Sequence, residues 1–584
     1  MTTTAYSTAA EGEGQLQRNI DWRGAFWVAS GVPALVLFSI GGIAGTAGTL
    51  AFLIWTVSMI MGFIQSFTYA EIAGLFPNKS GGASVYGATA WLRYSKLVAP
   101  LSVWCNWFAW SPVLSLGCSI AAAYILNALA PIPSFTEASP EVVSYIAAHA
   151  GTSAADAIAA VTTSATPAIR AWTLYSHTLG PVSFSLNAVF WIGAILMLIT
   201  FAIQHRGILG TANTQKYIGL AVIIPMLIVG VVPIVTGQIN WANYSPLVPL
   251  AAALAPDPGA WNNAGWTLVL GGMFIAAWST YGFETAVCYT SEFKDPGKDT
   301  FKAIFYSGLL CLLLYILVPF TFQGVLGLNG MLAGPISDGS GVAAAMAQMV
   351  HGGAFVTNLL VMLMILALML AIMTAMAGSS RTLYQGSVDG WLPRYLSHVN
   401  EHGAPTRAMW TDLVFNLFVL AIAAADATSF FFILAVSNCG YIIFNFLNLN
   451  AGWIHRIDNG HVHRPWKAPT WLLGLGAIFA FVNVVFMGAG AETWNANALI
   501  AGLIFAAGII PVFCFRHYIQ DGGKFPEHML ADLGMSEGDL AVKKAGILPY
   551  LTIIAGFAVL LAADYFFGSS FLGFVGVKLF GIGG

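Results

Sequence analysis

The residue types best suited to chemistry stand together in residues 278–284, which read Trp-Ser-Thr-Tyr-Gly-Phe-Glu. The stretch lies inside an apolar run that begins near Thr267. Hydroxyls, a glycine and the carboxylate of Glu284 occur in a segment where aliphatic side chains would have the lowest free energy. An ionisable residue in a membrane-length apolar run is by default a functional-site hypothesis, because its cost must be offset. We therefore predict a helix break here, with exposed backbone beside a titrating carboxylate.

A second interruption is predicted in residues 29–33, which read Ala-Ser-Gly-Val-Pro. Proline is tolerated in the first turn of a helix, and Ser30 is of a type that caps helix N-termini. A helix that begins at Pro33 would direct its positive dipole end, and the free N–H groups of Gly31 and Val32, at an anion. A proline-kinked helix without a site is the alternative interpretation.

The two interruptions would open two corresponding halves of the chain. Paired interruptions at matching positions point to a substrate site between halves in secondary transporters. Backbone carbonyls freed at Ser279, Thr280 and Tyr281 would accept an ammonium group, while the first break would hold a carboxylate. The pair predicts a zwitterionic or amine-bearing small solute as the bound partner.

The composition places both breaks in a membrane. The chain has 584 residues, of which 58% are hydrophobic and only 8% charged, whereas soluble domains carry roughly 25% charged residues. We predict a multi-pass protein of the cell membrane, surrounded by lipid, with no basic patch for a nucleic acid. All six cysteines fall in apolar segments without CxxC spacing, so no disulfide, metal site or cofactor is expected. No HExxH or Ser/His/Asp arrangement lies at membrane depth, so we do not expect an enzyme.

The apolar runs predict thirteen membrane-spanning helices, each about 20 residues or longer. With a cytoplasmic N-terminus, all of the 22 Lys and Arg residues except Arg170 and Lys578 fall on the inner side, as the positive-inside rule requires. The predicted spans are 22–46, 50–75, 98–130, 183–203, 214–236, 266–290, 301–327, 354–385, 409–425, 428–453, 471–489, 496–516 and 546–567.

These spans divide the chain into an N-terminal tail (1–21), a first repeat (22–236), a second repeat (237–453) and C-terminal helices 11, 12 and a probable thirteenth (454–584). Residues 131–182 form an unusually long connection rich in Ala, Ser, Thr and Pro, with short helices such as Ala154–Val161. It is interpreted either as a lid over an outer vestibule or as an insertion without that role. Residues 517–545 are expected to pack across the cytoplasmic face.

Four groups of residues resemble the amino acid–polyamine–organocation family in register. Residues 29–32 resemble the family's Gly-Ser-Gly-Ile/Val signature, and residues 69–86 resemble its second-helix and loop signature. Residues 278–296 are similar to its sixth helix, and residues 380–407 to the cytoplasmic end of its eighth. The resemblance implies an all-α membrane protein with a leucine-transporter-like fold: a 5+5 inverted repeat with interrupted helices 1 and 6, plus two or three C-terminal helices.

The resemblance also implies roles for individual residues. Ser30, Gly31 and Val32 would contact a substrate carboxylate, Trp278 would be an aromatic gate, and Glu284 would be the proton-sensitive group. The rest of the substrate site would be formed by Ser279, Thr280, Tyr281 and Gly282. From residue type and position alone, the candidates for the pocket wall are Trp107, Trp110, Ser111, Thr374 and Asn438.

The expected function is secondary active transport of an amino acid or related amine, by proton symport or exchange. The fifth span lacks the mid-helix lysine of many proton-coupled relatives, and Thr374 stands without a second hydroxyl for sodium. Asp412 and Asp564 are expected near span ends in reach of water, and Glu71 is expected to be structural. Alternatives are a polyamine or amine antiporter and a receptor that binds without transport. The oligomeric state is not predicted.

Overall fold

The computed structural model describes residues 16–133, 135–149, 152–249, 259–332, 336 and 341–568. Lys578 and most of the N-terminal tail lie outside this range. Ten of the described helical segments are long and apolar enough to cross a membrane, judged by length and composition. Two shorter apolar segments, Trp22–Phe38 and Ala188–Gln204, add to them. The chain is a multi-pass, predominantly helical membrane protein.

Helical segments occupy all thirteen predicted spans. They are α1 Trp22–Ala29, α2 Ile40–Ala47, α3 Ala51–Gly74, α4 Ala83–Leu92, α5 Val98–Trp110, α6 Val113–Leu129, α7 Pro140–Ala148, α8 Ala154–Ala165, α9 Ala168–Ala171, α10 Ala188–Gln204, α11 Ile208–Val235, α12 Asn263–Thr280, α13 Pro296–Met331, α14 Val342–Met349, α15 Ala354–Val388, α16 Thr406–Ala423, α17 Ala427–Asp458, α18 Thr470–Gly490, α19 Ala498–Ala507, α20 Ile509–Cys514 and α21 Leu548–Phe567.

The first break lies between α1 and α2. Asp21 caps the start of α1 by accepting from two backbone N–H groups of its first turn, which suits a short carboxylate at an N-cap. α1 ends at Ala29, and a tighter 3-10 helix, Val32–Phe38, follows before the α-helix resumes. Pro33 stands in the first turn of that 3-10 helix, where its missing N–H leaves no bond unmade.

The second break follows α12. The α-helix ends at Thr280 and gives way to a 3-10 helix, Gly282–Val287. A new α-helix begins at Pro296, where Asp295 accepts from the N–H of Lys298 and so caps α13. Both breaks therefore continue as 3-10 helices, which rarely run longer than one or two turns.

The long connection departs from an all-α fold. α7 and α8 pack through a small apolar cluster of Val142, Ala157 and Val161. An antiparallel hairpin follows, with β1 Thr173–Leu179 and β2 Val182–Asn187. The prediction that a membrane helix starts at residue 183 is therefore wrong by five residues. Apolar and polar residues alternate in β2, which favours a strand, and Gly180 adopts the positive φ of 58° that the tight turn needs.

Lys79 and Arg93 lie on one face of the molecule, which we call the basic face. Lys79 donates to Asp389 at 2.8 Å and to the carbonyl of Met529 at 2.7 Å. Arg93 donates to the carbonyls of Asp539 and Val542. The segment after α20 thus packs across this face, and the expectation that the face is cytoplasmic stays a prediction.

Glu71 joins α3 to the connection between α17 and α18. Its carboxylate accepts from Arg456 at 2.8 and 2.6 Å, from Arg464 at 3.1 Å and from the N–H of Ala468 at 2.8 Å. Glu71 and both arginine side chains are largely buried. The residue ties three segments together, which agrees with the structural role expected of it.

The expectation that Asp412 and Asp564 reach water is wrong. Both side chains are completely buried. α16 begins at Thr406, six residues before Asp412, so the carboxylate lies about 9 Å along the helix from its start. Polar partners on neighbouring helices replace the water that was expected there, as described below.

Glu71→Gln is expected to lower the free energy of unfolding by about 3–5 kcal/mol, because two buried guanidinium groups lose their counter-ion. Thermal unfolding of the purified protein measures the change. Lys298→Met is the control, since the Lys298–Asp295 pair is exposed and such pairs contribute little. Equal unfolding temperatures for Glu71→Gln and the wild type would contradict the structural role.

Candidate functional site

The two helix breaks meet at a small enclosed cavity. Its volume is about 10 Å³, close to the least that holds one water molecule. The lining residues come from both breaks and from α5, α6 and α15; they are Gly31, Val32, Leu35, Trp110, Val113, Gly282, Thr285, Ala371, Thr374 and Ala375. Interrupted backbone at membrane depth is tolerated where it is buried or lines a cavity, and here it does both.

Five of the residues singled out in the sequence come together at this cavity: Gly31, Val32, Trp110, Gly282 and Thr374. Sequence reasoning missed the other five. Ala371 and Ala375 had a usable signal, because they flank Thr374 on one face of α15 at a spacing of four residues. Leu35, Val113 and Thr285 carried no signal that separates a cavity wall from an ordinary apolar contact.

Glycine is required at the break because the helices approach closely there. A Cβ atom on Gly31 would stand 2.5 Å from Thr374 Oγ1 and would overlap the backbone carbonyl of Leu370. A Cβ atom on Gly282 would stand 2.7 Å from Trp110 Cη2 and 3.1 Å from Val32 Cγ1. The two glycines thus let the breaks touch α15, α5 and each other.

The helical hydrogen bonds of α1 end at its C-terminus, where side chains from two other helices bind the carbonyl of Val28. Thr374 Oγ1 on α15 donates to the carbonyl of Val28 at 2.6 Å. Gln215 Nε2 on α11 donates to the same carbonyl at 3.1 Å and to Thr374 Oγ1 at 3.1 Å. Gln215 was not predicted, because a single amide in the first turns of an apolar helix does not reveal which neighbour it contacts.

Tyr315 joins the two breaks directly. Its hydroxyl lies 2.6 Å from the carbonyl of Val32 and 2.8 Å from the carbonyl of Ser279. One hydroxyl proton serves one acceptor at a time, so the two carbonyls share it. The ring stacks on Trp55 with centroids 5.6 Å apart. Tyr315 is another residue that the sequence did not single out.

The hydroxyls of four predicted substrate-binding residues already have hydrogen-bond partners in the protein. Ser30 Oγ donates to the carbonyl of Trp27, and Ser279 Oγ lies 3.4 Å from Ser39 Oγ. Thr280 pairs with Ser58 on α3, and Tyr281 donates to Asn483 on α18. The Tyr281 carbonyl accepts from Tyr441 at 3.3 Å, so the carbonyls of Ser279 and Tyr281 both already have side-chain partners.

Trp278 packs behind the cavity wall. Its indole N–H donates to the carbonyl of Ala109 at 3.0 Å, and its ring centroid lies 6.4 Å from that of Trp110 and 5.8 Å from that of Phe38. The side chain is fully buried. Trp110, not Trp278, is the indole that forms part of the lining.

Glu284 does not line the cavity itself, but it is hydrogen-bonded to the lining residue Trp110. Its Oε1 accepts from Trp110 Nε1 at 2.8 Å, whereas its Oε2 has no hydrogen-bond partner among the described residues. Only about 1% of the residue is exposed. A carboxylate with one open oxygen can accept a proton or a ligand N–H.

The remaining candidates for the pocket wall lie elsewhere. Trp107 and Ser111 donate to the carboxylate of Asp412, and neither residue lines the cavity. Asn438 donates to the carbonyl of Phe274 at 2.5 Å. Among the described residues, no group of three His, Cys, Asp or Glu side chains could hold a metal ion.

Comparison with known proteins supplies the family. A family model described as amino acid permease matches residues 20–509, which contain both breaks and every residue of the cavity. Among curated relatives, the branched-chain amino acid permease of Lactococcus lactis subsp. cremoris is 23% identical over 333 residues, 56% of this chain and 65% of that protein. The branched-chain amino acid permease of Bacillus subtilis is 24% identical over 221 residues, 36% of this chain and 42% of that one.

A relative named for a different substrate is also similar. The lysine-specific permease of Escherichia coli is 24% identical over 351 residues, 55% of this chain and 68% of that protein. The match spans less than two thirds of the length of the two branched-chain relatives. Because the family match runs through most of the chain and through the whole site, the chain belongs to the amino acid permease family.

Proposed function

We propose that this protein carries a neutral amino acid across the membrane by alternating access. Its substrate binds between the two helix breaks, where the cavity, which holds about one water molecule in this structure, widens as the breaks move apart. The observation that carries the proposal is that Gly31 and Val32 of the first break and Gly282 of the second line one cavity. A site shared by two interrupted helices can open to either side as the halves of the molecule move.

The first break suits the substrate carboxylate. Gly31 is the N-cap and Val32 the first residue of the 3-10 helix, so that helix offers their N–H groups no acceptor. The helix dipole adds a partial positive charge at the same place. An amino acid carboxylate at this end would receive two backbone hydrogen bonds without any cationic side chain.

The ammonium group of the substrate would lie toward the second break. The open Oε2 of Glu284 and the shared carbonyl of Ser279 are acceptors near that end. Binding there would release the Tyr315 hydroxyl to serve Val32 alone. This arrangement places opposite charges of the substrate on opposite breaks, as the sequence suggested.

The apolar walls favour a small aliphatic side chain. Leu35, Val113, Ala371 and Ala375 line the cavity, and no acidic side chain does so within the described part of the chain. A cationic side chain would therefore be desolvated without a partner there, at high cost. The apolar walls favour branched-chain aliphatic amino acids, for which two of the relatives are named, over lysine, and they disfavour polyamines.

Transport would be driven by protons through Glu284. Gln215, a neutral amide, occupies the contact between α1 and α15, so no lysine or alkali cation is needed to satisfy that carbonyl. Glu284 is the one carboxylate bound to a residue of the lining in the described range.

The basic face obeys the positive-inside rule only if it lies on the cytoplasmic side of the membrane. We therefore propose that the basic face and the N-terminus are cytoplasmic.

Purified protein reconstituted in liposomes tests the function. We expect uptake and counterflow of labelled leucine or alanine under an inward proton gradient, with unlabelled aliphatic amino acids competing and lysine and polyamines not competing. Thermal stabilisation by the same amino acids would report binding by mass action. Stabilisation without uptake or counterflow would indicate a receptor, and neither response to any amino acid would overturn the proposal.

Gly31→Ala is expected to abolish the substrate-induced thermal shift, because the new methyl would displace Thr374 or the Leu370 backbone at the first break. Gly45→Ala is the matched control, since its Cβ would meet only Leu332 Cδ2 at an ordinary 3.6 Å. The shift is measured over a range of leucine concentrations for each variant. Wild-type affinity in Gly31→Ala would exclude the first break as the carboxylate site.

Glu284→Gln is expected to flatten the pH dependence of uptake, because a glutamine can neither bind nor release the coupled proton. Initial rates of uptake at a series of external pH values measure the profile. Glu137→Gln, in the exposed connection, should retain the wild-type profile. An unaltered profile in Glu284→Gln would show that coupling resides in another residue.

Tyr315→Phe is expected to lower the free energy of unfolding by about 1–3 kcal/mol, because two buried carbonyls lose their shared donor. The unfolding midpoint in a denaturant series measures the loss. Tyr217→Phe, at a hydroxyl on the exposed surface of α11, serves as the control. If both variants unfold at the wild-type midpoint, the hydroxyl does not tie the breaks together.

A further inference from the structure

A second buried carboxyl lies outside the cavity. Asp412 on α16 accepts from Trp107 Nε1 at 2.9 Å and from Ser111 Oγ at 2.5 Å, both through Oδ1. Its Oδ2 accepts from Ser379 Oγ at 2.5 Å. Three helical regions thus converge on one fully buried carboxyl, in which each oxygen has at least one donor.

No cation balances this carboxyl. Asp412 forms no ion pair among the described residues, and its hydrogen-bond partners are all neutral. The cationic or ionisable basic groups on elements packed against α16, or at the ends of those elements, are His205, Arg381, Arg394, His398, His455 and Arg456, with Arg407 on α16 itself. Arg456 is bound to Glu71, and His455 contacts the carbonyl of Tyr86. Arg381 is bound to Glu292 and Arg394 to Asp521. The weak acids on those elements, such as Cys118, Tyr384 and Tyr441, bring no positive charge.

The geometry offers a specific way to accommodate a proton. Ser379 Oγ donates to Asp412 but also lies 3.4 Å from the carbonyl of Met376. If a proton binds to Oδ2, the Ser379 hydroxyl can turn its hydrogen to Met376 and accept from the new carboxylic acid. No heavy atom has to move far, and each donor keeps an acceptor in both states.

A further polar atom of the cluster has no partner. Asn416 Nδ2 donates to Ser111 Oγ at 2.7 Å and to the carbonyl of Asp412 at 2.9 Å. Asn416 is completely buried, and its Oδ1 has no hydrogen-bond partner among the described residues. The cluster therefore contains one buried acceptor, Asn416 Oδ1, without a hydrogen bond. Such an atom is uncommon in a network that serves only to hold the fold together.

We propose that Asp412 is a reversible proton-binding site, in which Trp107, Ser111 and Ser379 hold the ionised form and Ser379 reverses its hydrogen bond when the proton arrives. The site is separate from Glu284. Trp107 and Trp110, three residues apart in α5, hold the two carboxyls. A proton at Asp412 would weaken the bonds that join α16 to α5 and α15, and α15 also lines the cavity.

Infrared difference spectroscopy of the purified full-length protein between high and low pH tests the proposal. A protonated buried carboxylic acid gives a C=O band that the carboxylate lacks. We expect such a band to be lost in Asp412→Asn and retained in Glu284→Gln. Identical spectra for the wild type and Asp412→Asn, across the pH range where both are folded, would overturn the proposal. The spectrum does not depend on transport, so it separates this proposal from the proposed function.

Ser379→Ala keeps the test decisive if Asp412→Asn does not fold. Loss of a donor to the ionised form should increase the proton affinity of Asp412 about tenfold or more. The pH at which half of the C=O band is present should therefore rise by about one unit. An unmoved midpoint would contradict the role given to Ser379. Sodium and potassium chloride at fixed pH should leave the band unchanged, and a band erased by either salt would assign the site to an alkali cation instead.

Discussion

Backbone amides and carbonyls inside a bilayer have no water to bind, so every helix break there must be satisfied by the protein itself. The two breaks of this permease meet that requirement with side chains from other helices. Thr374 and Gln215 close the end of α1, and Tyr315 and Tyr441 reach carbonyls in and beside the breaks. The need to satisfy these groups explains why polar residues are spread through otherwise apolar helices.

A binding site whose helix breaks move also requires side-chain partners for its backbone carbonyls. A carbonyl held by a hydroxyl can exchange that partner for a ligand or another side chain, whereas a carbonyl within an α-helix cannot. The bond that Tyr315 shares between Val32 and Ser279 crosses from one break to the other. In the proposed mechanism, substrate competes for this hydroxyl and thereby couples binding to movement of the breaks.

Four of the buried carboxyls differ in the charge of their partners. Glu71 and Glu292 face arginine, so their charge is matched and their contribution is structural. Glu284 and Asp412 face only neutral donors, each through a tryptophan of α5. An unmatched charge at membrane depth is the less stable arrangement, and these are the two residues to which we assign proton binding.

The positions of the helices could be predicted from the sequence because a membrane-length apolar run is a strong signal. The breaks were also accessible, since proline and glycine at residues 31–33 and the polar run at residues 278–284 interrupt that signal. The hairpin was not, because its alternation is short and lies in an Ala- and Ser-rich connection.

Tertiary partners could not be predicted either. The sequence does not say which helix an isolated Gln215, Tyr315 or Asp412 contacts, and successive residues of α12 turn by about 100°. That turn is why Ser279 and Thr280, the last residues of α12, contact different helices, whereas Gly282 reaches the cavity after α12 has ended. Their assignment to the substrate stays a prediction.

The central claim is that one substrate binds to both breaks at once. A structure determined by electron cryomicroscopy with an aliphatic amino acid at saturating concentration tests it most directly. We predict density at the cavity, with the carboxylate at the N–H groups of Gly31 and Val32 and the side chain against Val113 and Ala371. Substrate density elsewhere, or contact with only one of the breaks, would contradict the claim.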